Sequence, residues 1–280
     1  MSFTQTLRAA VVQMTPGDRK SLNLERAEYW IDQAAHAGAQ LVCLPETFVY
    51  SGSHRSEHMQ NVAETVPGYS SRIFSQWARH YNIYLAAGSL FETNPDDAAR
   101  PFNTSLVFSP EGECLAKYRK NHLFCFQEQP ESSQKALSEA DYQSPGSKQD
   151  RAVAETPWGG MGLSICYDLR FPALYQYYSR EMGATLLTVP SKFLKTTGEA
   201  HWLPLLQARA IENQCFVLAA NAYSEHQPAN YGHSMILDPW GKVLASLETG
   251  EGFCFADLDF KALKQIRQRL PVLQTGNENG

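Results

Sequence analysis

Cys166 closes the apolar run MGLSIC, and YDLRFP follows before helical spacing resumes. A strand, a sharp turn and a helix would place the thiol at the strand's carboxyl end, where open α/β sheets gather ligands. A helix N-terminus beside it would favour the thiolate, the reactive form. An inert buried cysteine satisfies the same pattern. Glu46 follows a second apolar run, LVCLP, and so also stands at a strand end. A carboxylate there costs desolvation energy unless it meets water or a polar cleft. Lys120 ends CLAKYRK. It is either a charge on a sheet edge or a third group in the same cleft. Polar groups at strand ends far apart in the chain are what a site on a β scaffold requires.

A nucleophilic thiol needs a base, and the usual base is histidine. His122, His201 and His233 are available, yet none has a local signature that ties it to Cys166. His54-Arg55-Ser56-Glu57-His58 matches the H-x-x-E-H pattern of inverted zinc peptidases. That chemistry would need a helix under both imidazoles and a third ligand downstream. Ser51, Gly52 and Ser53 before it read as loop, which argues against a metal site.

Elements of two kinds alternate to carry these residues. The spacing predicts strands over 7–14, 41–45, 82–91, 103–109 and 113–119, with helices over 23–37 and 70–81 between them. Gly38 reads as the stop of the first helix. Ser109-Pro110-Glu111-Gly112 suits a type I turn. The second half repeats the order, with strands over 161–166, 185–190, 215–222 and 252–258. Helices are predicted over 171–181, 200–213 and 260–269. Asp238-Pro239-Trp240-Gly241 forms a second hairpin turn. Alternation of this kind implies parallel sheet, with antiparallel hairpins at the edges. No Gly/Ser/Pro-rich linker separates the halves. The expectation is one α/β domain over 1–270, a four-layer α-β-β-α sandwich with two mixed sheets, and a tail over 271–280. The polar stretch 126–150 is long for a loop inside a domain, which suggests a lid or pocket wall.

Composition narrows the class. The 280 residues carry a net charge of −5 and are 43% hydrophobic. That supports a sizeable core and excludes wholesale disorder. Mild acidity argues against a nucleic-acid partner. No apolar run is long enough for a membrane span. The start MSFTQTLRAAVVQM lacks the layout of a secretory signal. Six cysteines without a C-x-x-C pair support neither a zinc ribbon nor a redox motif, and suggest free thiols in a cytoplasmic setting.

With these residues assembled, the chain resembles the nitrilase superfamily of carbon–nitrogen hydrolases. LPETF around Glu46, YRKNHLF around Lys120 and GLSICYDLRFPALY around Cys166 occur in that family's order and spacing. The likeness runs from AAVVQM to RLPVLQ. SPGS (144–147), AHWLPLLQARAIENQCFVLAA (200–220) and YGHSMILDPWG (231–241) look most like the amidases of deaminated glutathione. The neighbouring ω-amidases share the catalytic motifs. Glu139 stands where many such enzymes have a second glutamate. Its surroundings, ALSEADYQ, depart from the family pattern, as does FVYSGSHRS after Glu46.

The resemblance implies a small-molecule amidase with no metal and no cofactor. Glu46 would be the general base, Cys166 the nucleophile, and Lys120 with the Tyr167 backbone N–H the oxyanion donors. Glu139 would assist the hydrolytic step. An α-keto carboxylate on the substrate calls for a cation, and Arg170 is a candidate by position. Pairing with Asp168 or capping the next helix would explain Arg170 equally well. Ser191 and Phe193, after another strand, should line the same mouth. Lys192 between them could face either way. The family also implies a homodimer or higher homo-oligomer. A catalytically silent scaffold of the same fold is the alternative, which retention of Glu46, Lys120 and Cys166 disfavours.

Overall fold

A computed structural model describes residues 6–52, 56–127, 137–226 and 228–274. Its first sheet collects β1 (Thr6–Gln13), β2 (Leu41–Cys43), β3 (Tyr84–Ala86), β4 (Leu90–Glu92), β5 (Phe102–Phe108) and β6 (Cys114–Arg119). A small ribbon follows, β7 (Cys125–Phe126) with β8 (Leu137–Ser138). The second sheet collects β9 (Val153–Thr156), β10 (Gly159–Leu163), β11 (Leu186–Thr188) and β12 (Phe216–Ala219). A second ribbon, β13 (Tyr223–Ser224) with β14 (Asn230–Tyr231), precedes β15 (Ser234–Leu237) and β16 (Val243–Leu247), which complete that sheet. The last strand, β17 (Gly252–Asp259), returns to the first sheet and pairs antiparallel with β1. Strands β1, β2 and β3 run parallel, as do β10, β11 and β12. Their outer neighbours run antiparallel, so both sheets are mixed.

Helices cover the outer faces. The long ones are α1 (Lys20–His36), α3 (Tyr69–His80) and α5 (Lys195–Asn213). Shorter ones are α2 (Ser56–Val62), α4 (Pro172–Gln176) and α6 (Phe260–Arg269). The strand period of two assigns side chains to layers. Leu7, Ala9 and Val11 of β1 share a core with Met161, Leu163, Leu186 and Leu218 of the other sheet. Ala10 and Val12 point the other way, under Ala27 and Ile31 of α1 and Phe74 and Trp77 of α3. Each Leu, Ile, Val, Met or Phe among them, fully buried, contributes about 1.5–3 kcal/mol. The result is a four-layer α-β-β-α sandwich. Helix α1 stops where Gly38 takes a φ of 86° and its N–H returns to the Ala35 carbonyl, which swings the chain straight into β2.

Two predicted elements differ. The strand over 82–91 is two, β3 and β4, broken at Ala87-Gly88-Ser89. The break lets the Ser89 hydroxyl accept from the Thr47 N–H at 2.9 Å, beside Glu46. The helix over 171–181 is α4 followed by a wide turn, Tyr177–Glu181. Among the described residues no helix is long and apolar enough to cross a membrane.

Candidate active site

Cys166 lies beyond β10 rather than within it. Strand β10 ends at Leu163, and Cys166 opens a tight turn over Cys166–Arg170 with φ of 48°. A non-glycine residue held there costs about 1–3 kcal/mol and persists when its surroundings impose it. Here they do. The Cys166 N–H donates to the Pro190 carbonyl at 2.9 Å. Tyr175 Oη donates to Ser164 Oγ, which donates to the Thr188 carbonyl. The Ile165 N–H donates to Asp168 Oδ2 at 2.9 Å. Among the described residues the Tyr167 N–H has no backbone acceptor.

Glu46, Lys120 and Glu139 form one buried cluster. Lys120 is fully buried. Its Nζ stands 2.8 Å from Glu46 Oε1 and 2.8 Å from Glu139 Oε2. Glu46 Oε1 also accepts from Asn103 Nδ2 at 2.9 Å. The β7–β8 ribbon delivers Glu139: the Phe124 N–H donates to its Oε2 at 2.7 Å, and its own N–H returns to the Phe124 carbonyl. Thus the segment over 126–150 does form a pocket wall, through Ser138, Glu139, Tyr142 and Gln143. Its stretch 128–136 lies outside the described residues.

Burial works against the Lys120 charge, but Glu139, Glu46 and Cys166 outweigh it and hold its pKa well above the ordinary lysine value. Burial raises the Glu139 pKa, and the Glu46 charge adds to that while Lys120 opposes it. Burial pushes the Cys166 thiol well up, with Glu46 adding and Lys120 opposing. The thiol is therefore neutral until a base takes its proton. One cavity, open to solvent, is lined by Glu46, Glu139, Cys166, Tyr167, Arg170, Lys192 and Phe193. Phe91, Phe124, Leu194 and Asn230 complete its largely apolar wall.

The comparisons fit this arrangement. Residues 8–268 match the family of the carbon-nitrogen hydrolases. The chain belongs to that family. It is 38% identical over 271 residues to human omega-amidase NIT2, covering 96% of this chain and 94% of that one. It is 40% identical over 269 residues to the deaminated glutathione amidase of Rattus norvegicus, covering 95% and 80%. The NitFhit fusion protein of Caenorhabditis elegans is 40% identical over 94% of this chain. This chain spans 59% of the length of that fusion. Its crystal structure superposes with a TM-score of 0.88, covering 99% of this chain and 66% of the other.

Several expectations need correction in this hydrolase. Ser191 is fully buried and its hydroxyl donates to the Val189 carbonyl at 3.2 Å, so it does not line the cavity. Its neighbours Lys192 and Phe193 reach the wall instead. Arg170 does not pair with Asp168. It lies over the Tyr167 and Phe193 rings, and its Nη1 reaches His201 Nδ1 at 3.3 Å. Asp168 is instead a fully buried hub. It accepts from Tyr118 Oη, the His122 N–H and the Ile165 N–H, and lies 2.7 Å from His122 Nδ1. That hub ties the Cys166 turn to the end of β6, next to Lys120. Ile165 is a local partner, but His122 and Tyr118 lie 46 and 50 residues away, beyond the reach of any local pattern.

None of His122, His201 and His233 lines the cavity. His122 stacks on Phe171 and His233 on Tyr231. His54 of the H-x-x-E-H stretch lies outside the described residues. Among the described residues no three His, Cys, Asp or Glu side chains stand close enough to hold a metal ion.

Proposed function

We propose that the chain hydrolyses the amide bond of deaminated glutathione to α-ketoglutarate and cysteinylglycine, through a thioester on Cys166. The observation that carries this reading is the meeting of Cys166 with Glu46 and Glu139 on one cavity wall, with Lys120 buried between the two carboxylates. Glu46 takes the Cys166 proton as sulfur attacks the amide carbon. The carbonyl electrons move to oxygen, and Lys120 and the Tyr167 N–H receive the oxyanion. Each such donor in a dry site lowers the barrier by about 3–4 kcal/mol. Glu46 passes its proton to the nitrogen as the C–N bond breaks. Water then loses a proton to Glu46, with Glu139 steadying Lys120, and adds to the thioester. The C–S bond breaks and the thiol is restored.

The relative named omega-amidase supports a second substrate, α-ketoglutaramate, with the same acyl group and mechanism. All six cysteines are free thiols, which suits action in the cytoplasm. A homodimer or larger homo-oligomer completes the reading. It is supported by the exposed Leu203 and Ile211, eight positions apart on α5, and by Trp240, exposed in the turn where Gly241 accepts from Gln207 of that helix.

The test is product formation by mass spectrometry on both amides, for the wild type and Cys166→Ala. Faster release of cysteinylglycine from deaminated glutathione than of ammonia from α-ketoglutaramate supports the first substrate. The reverse order supports the second. Turnover that survives Cys166→Ala sinks the mechanism.

A further inference from the structure

The two glutamates of the cluster are held differently. Both oxygens of Glu139 are occupied: Lys120 Nζ donates to Oε1 at 2.9 Å, and the Phe124 N–H donates to Oε2 at 2.7 Å. Glu46 has one oxygen occupied. Its Oε1 accepts from Lys120 Nζ at 2.8 Å and from Asn103 Nδ2 at 2.9 Å. Among the described residues no donor bonds its Oε2. An oxygen whose two lone pairs meet two donors has none left for a proton, so base chemistry falls to Oε2.

Asn103 arranges this from within the sheet. It lies in β5, opposite Phe91 of β4, and is fully buried. Its backbone carbonyl accepts the Lys120 N–H at 2.8 Å. One residue thus holds the lysine by its main chain and the glutamate by its side chain. The amide has a forced orientation, because turning it over would set Oδ1 against Glu46 Oε1, acceptor against acceptor. Among the described residues Asn103 Oδ1 is then left buried without a hydrogen-bond partner. A buried unpaired acceptor lowers stability, and leucine has nearly the same shape without one. Packing alone gives no reason for an amide at this position.

We propose that Asn103 is a positioning residue for the hydrolysis. By holding Glu46 Oε1 beside Lys120, it leaves Oε2 to take the Cys166 proton as the C–S bond forms and to return it to nitrogen as the C–N bond breaks. This rests on the amidase reading above and assigns the residue that aims its base.

Asn103→Leu tests it, with Asn103→Ala as the second variant should leucine fail to fold. The Lys120 N–H keeps its acceptor in both, since only the side chain changes. On deaminated glutathione and α-ketoglutaramate, kcat should fall by about 10- to 100-fold, the scale of a catalytic group misplaced by about 1 Å. KM should stay within about threefold of wild type. Glu46→Gln supplies a readout that a structural role would not move. In that background the Asn103 substitution should lower kcat by less than about twofold, because the base it aims is gone. An equal fold-loss in both backgrounds would make Asn103 structural and overturn the proposal. So would a folded Asn103 variant with the kcat of wild type. A wild type that hydrolyses neither amide would overturn the amidase reading itself, and the proposal with it.

Discussion

The Lys120 ammonium stands 2.8 Å from a Glu46 carboxylate oxygen, and the two side chains are 0% and 4% exposed. A pair so thoroughly removed from water is sustained by its neighbours, Glu139 on the lysine and Asn103 on the glutamate. The cluster therefore fixes a positive charge beside the thiol while leaving a carboxylate within the same cavity to accept its proton.

Removing the cation should be severe and pH-dependent. Lys120→Ala leaves two buried carboxylates uncompensated, a loss of about 3–5 kcal/mol. Lys120 is what holds the Glu139 pKa down against burial, so the variant raises it further. A carboxyl whose folded pKa is raised adds stability below its unfolded pKa, and that stability is lost as pH rises through the folded value. The melting-temperature deficit of Lys120→Ala should therefore be smaller at pH 5 than at pH 8. Thermal unfolding at the two values checks this.

Glu46→Gln should separate reactivity from catalysis. Glu46 raises the Cys166 pKa, so its neutralisation lowers that pKa and leaves more thiolate at neutral pH. Alkylation of Cys166 by iodoacetamide at pH 7 should speed up. Amide hydrolysis should fall by about 10²- to 10⁴-fold, the usual worth of a general base. Parallel labelling and turnover assays read both effects.

Asp168→Asn tests the hub. An amide turns N–H groups toward donors that now meet carboxylate oxygens, at a cost of about 2–3 kcal/mol. Misplacement of the Cys166 turn relative to Lys120 should lower kcat far more than it raises KM. Steady-state kinetics on folded variant, with circular dichroism as the check on folding, measures this.

These residues mark how far the sequence was legible. Glu46 and Cys166 follow apolar runs and Lys120 closes the half-exposed strand β6, yet position alone left each open to a structural reading; the resemblance of the three motifs to the family's singled them out. Period and turn residues give most strands and helices, down to the stop at Gly38. Asp168 and Lys192 were not legible in this way. Their partners, Tyr118, His122 and Ser51, lie 46 to 141 positions distant and meet them by sheet packing alone. The break of the 82–91 strand has the same origin, since a remote turn requires Ser89.

Gly88→Ala follows from that break. Gly88 holds φ at 51°, and a Cβ there would collide with the Pro45 carbonyl. A left-handed alanine alone costs about 1–2 kcal/mol, and the collision adds to it. The variant should lose at least about 2 kcal/mol in denaturant unfolding. Because Pro45 precedes Glu46, amide hydrolysis should fall even where the variant is fully folded.

The most direct test is to quench the reaction with deaminated glutathione in its first turnover and map acylation by peptide mass spectrometry. The account predicts an α-ketoglutaryl group on the peptide bearing Cys166, appearing before α-ketoglutarate and lost on longer incubation. Turnover that proceeds with Cys166 never acylated would contradict it.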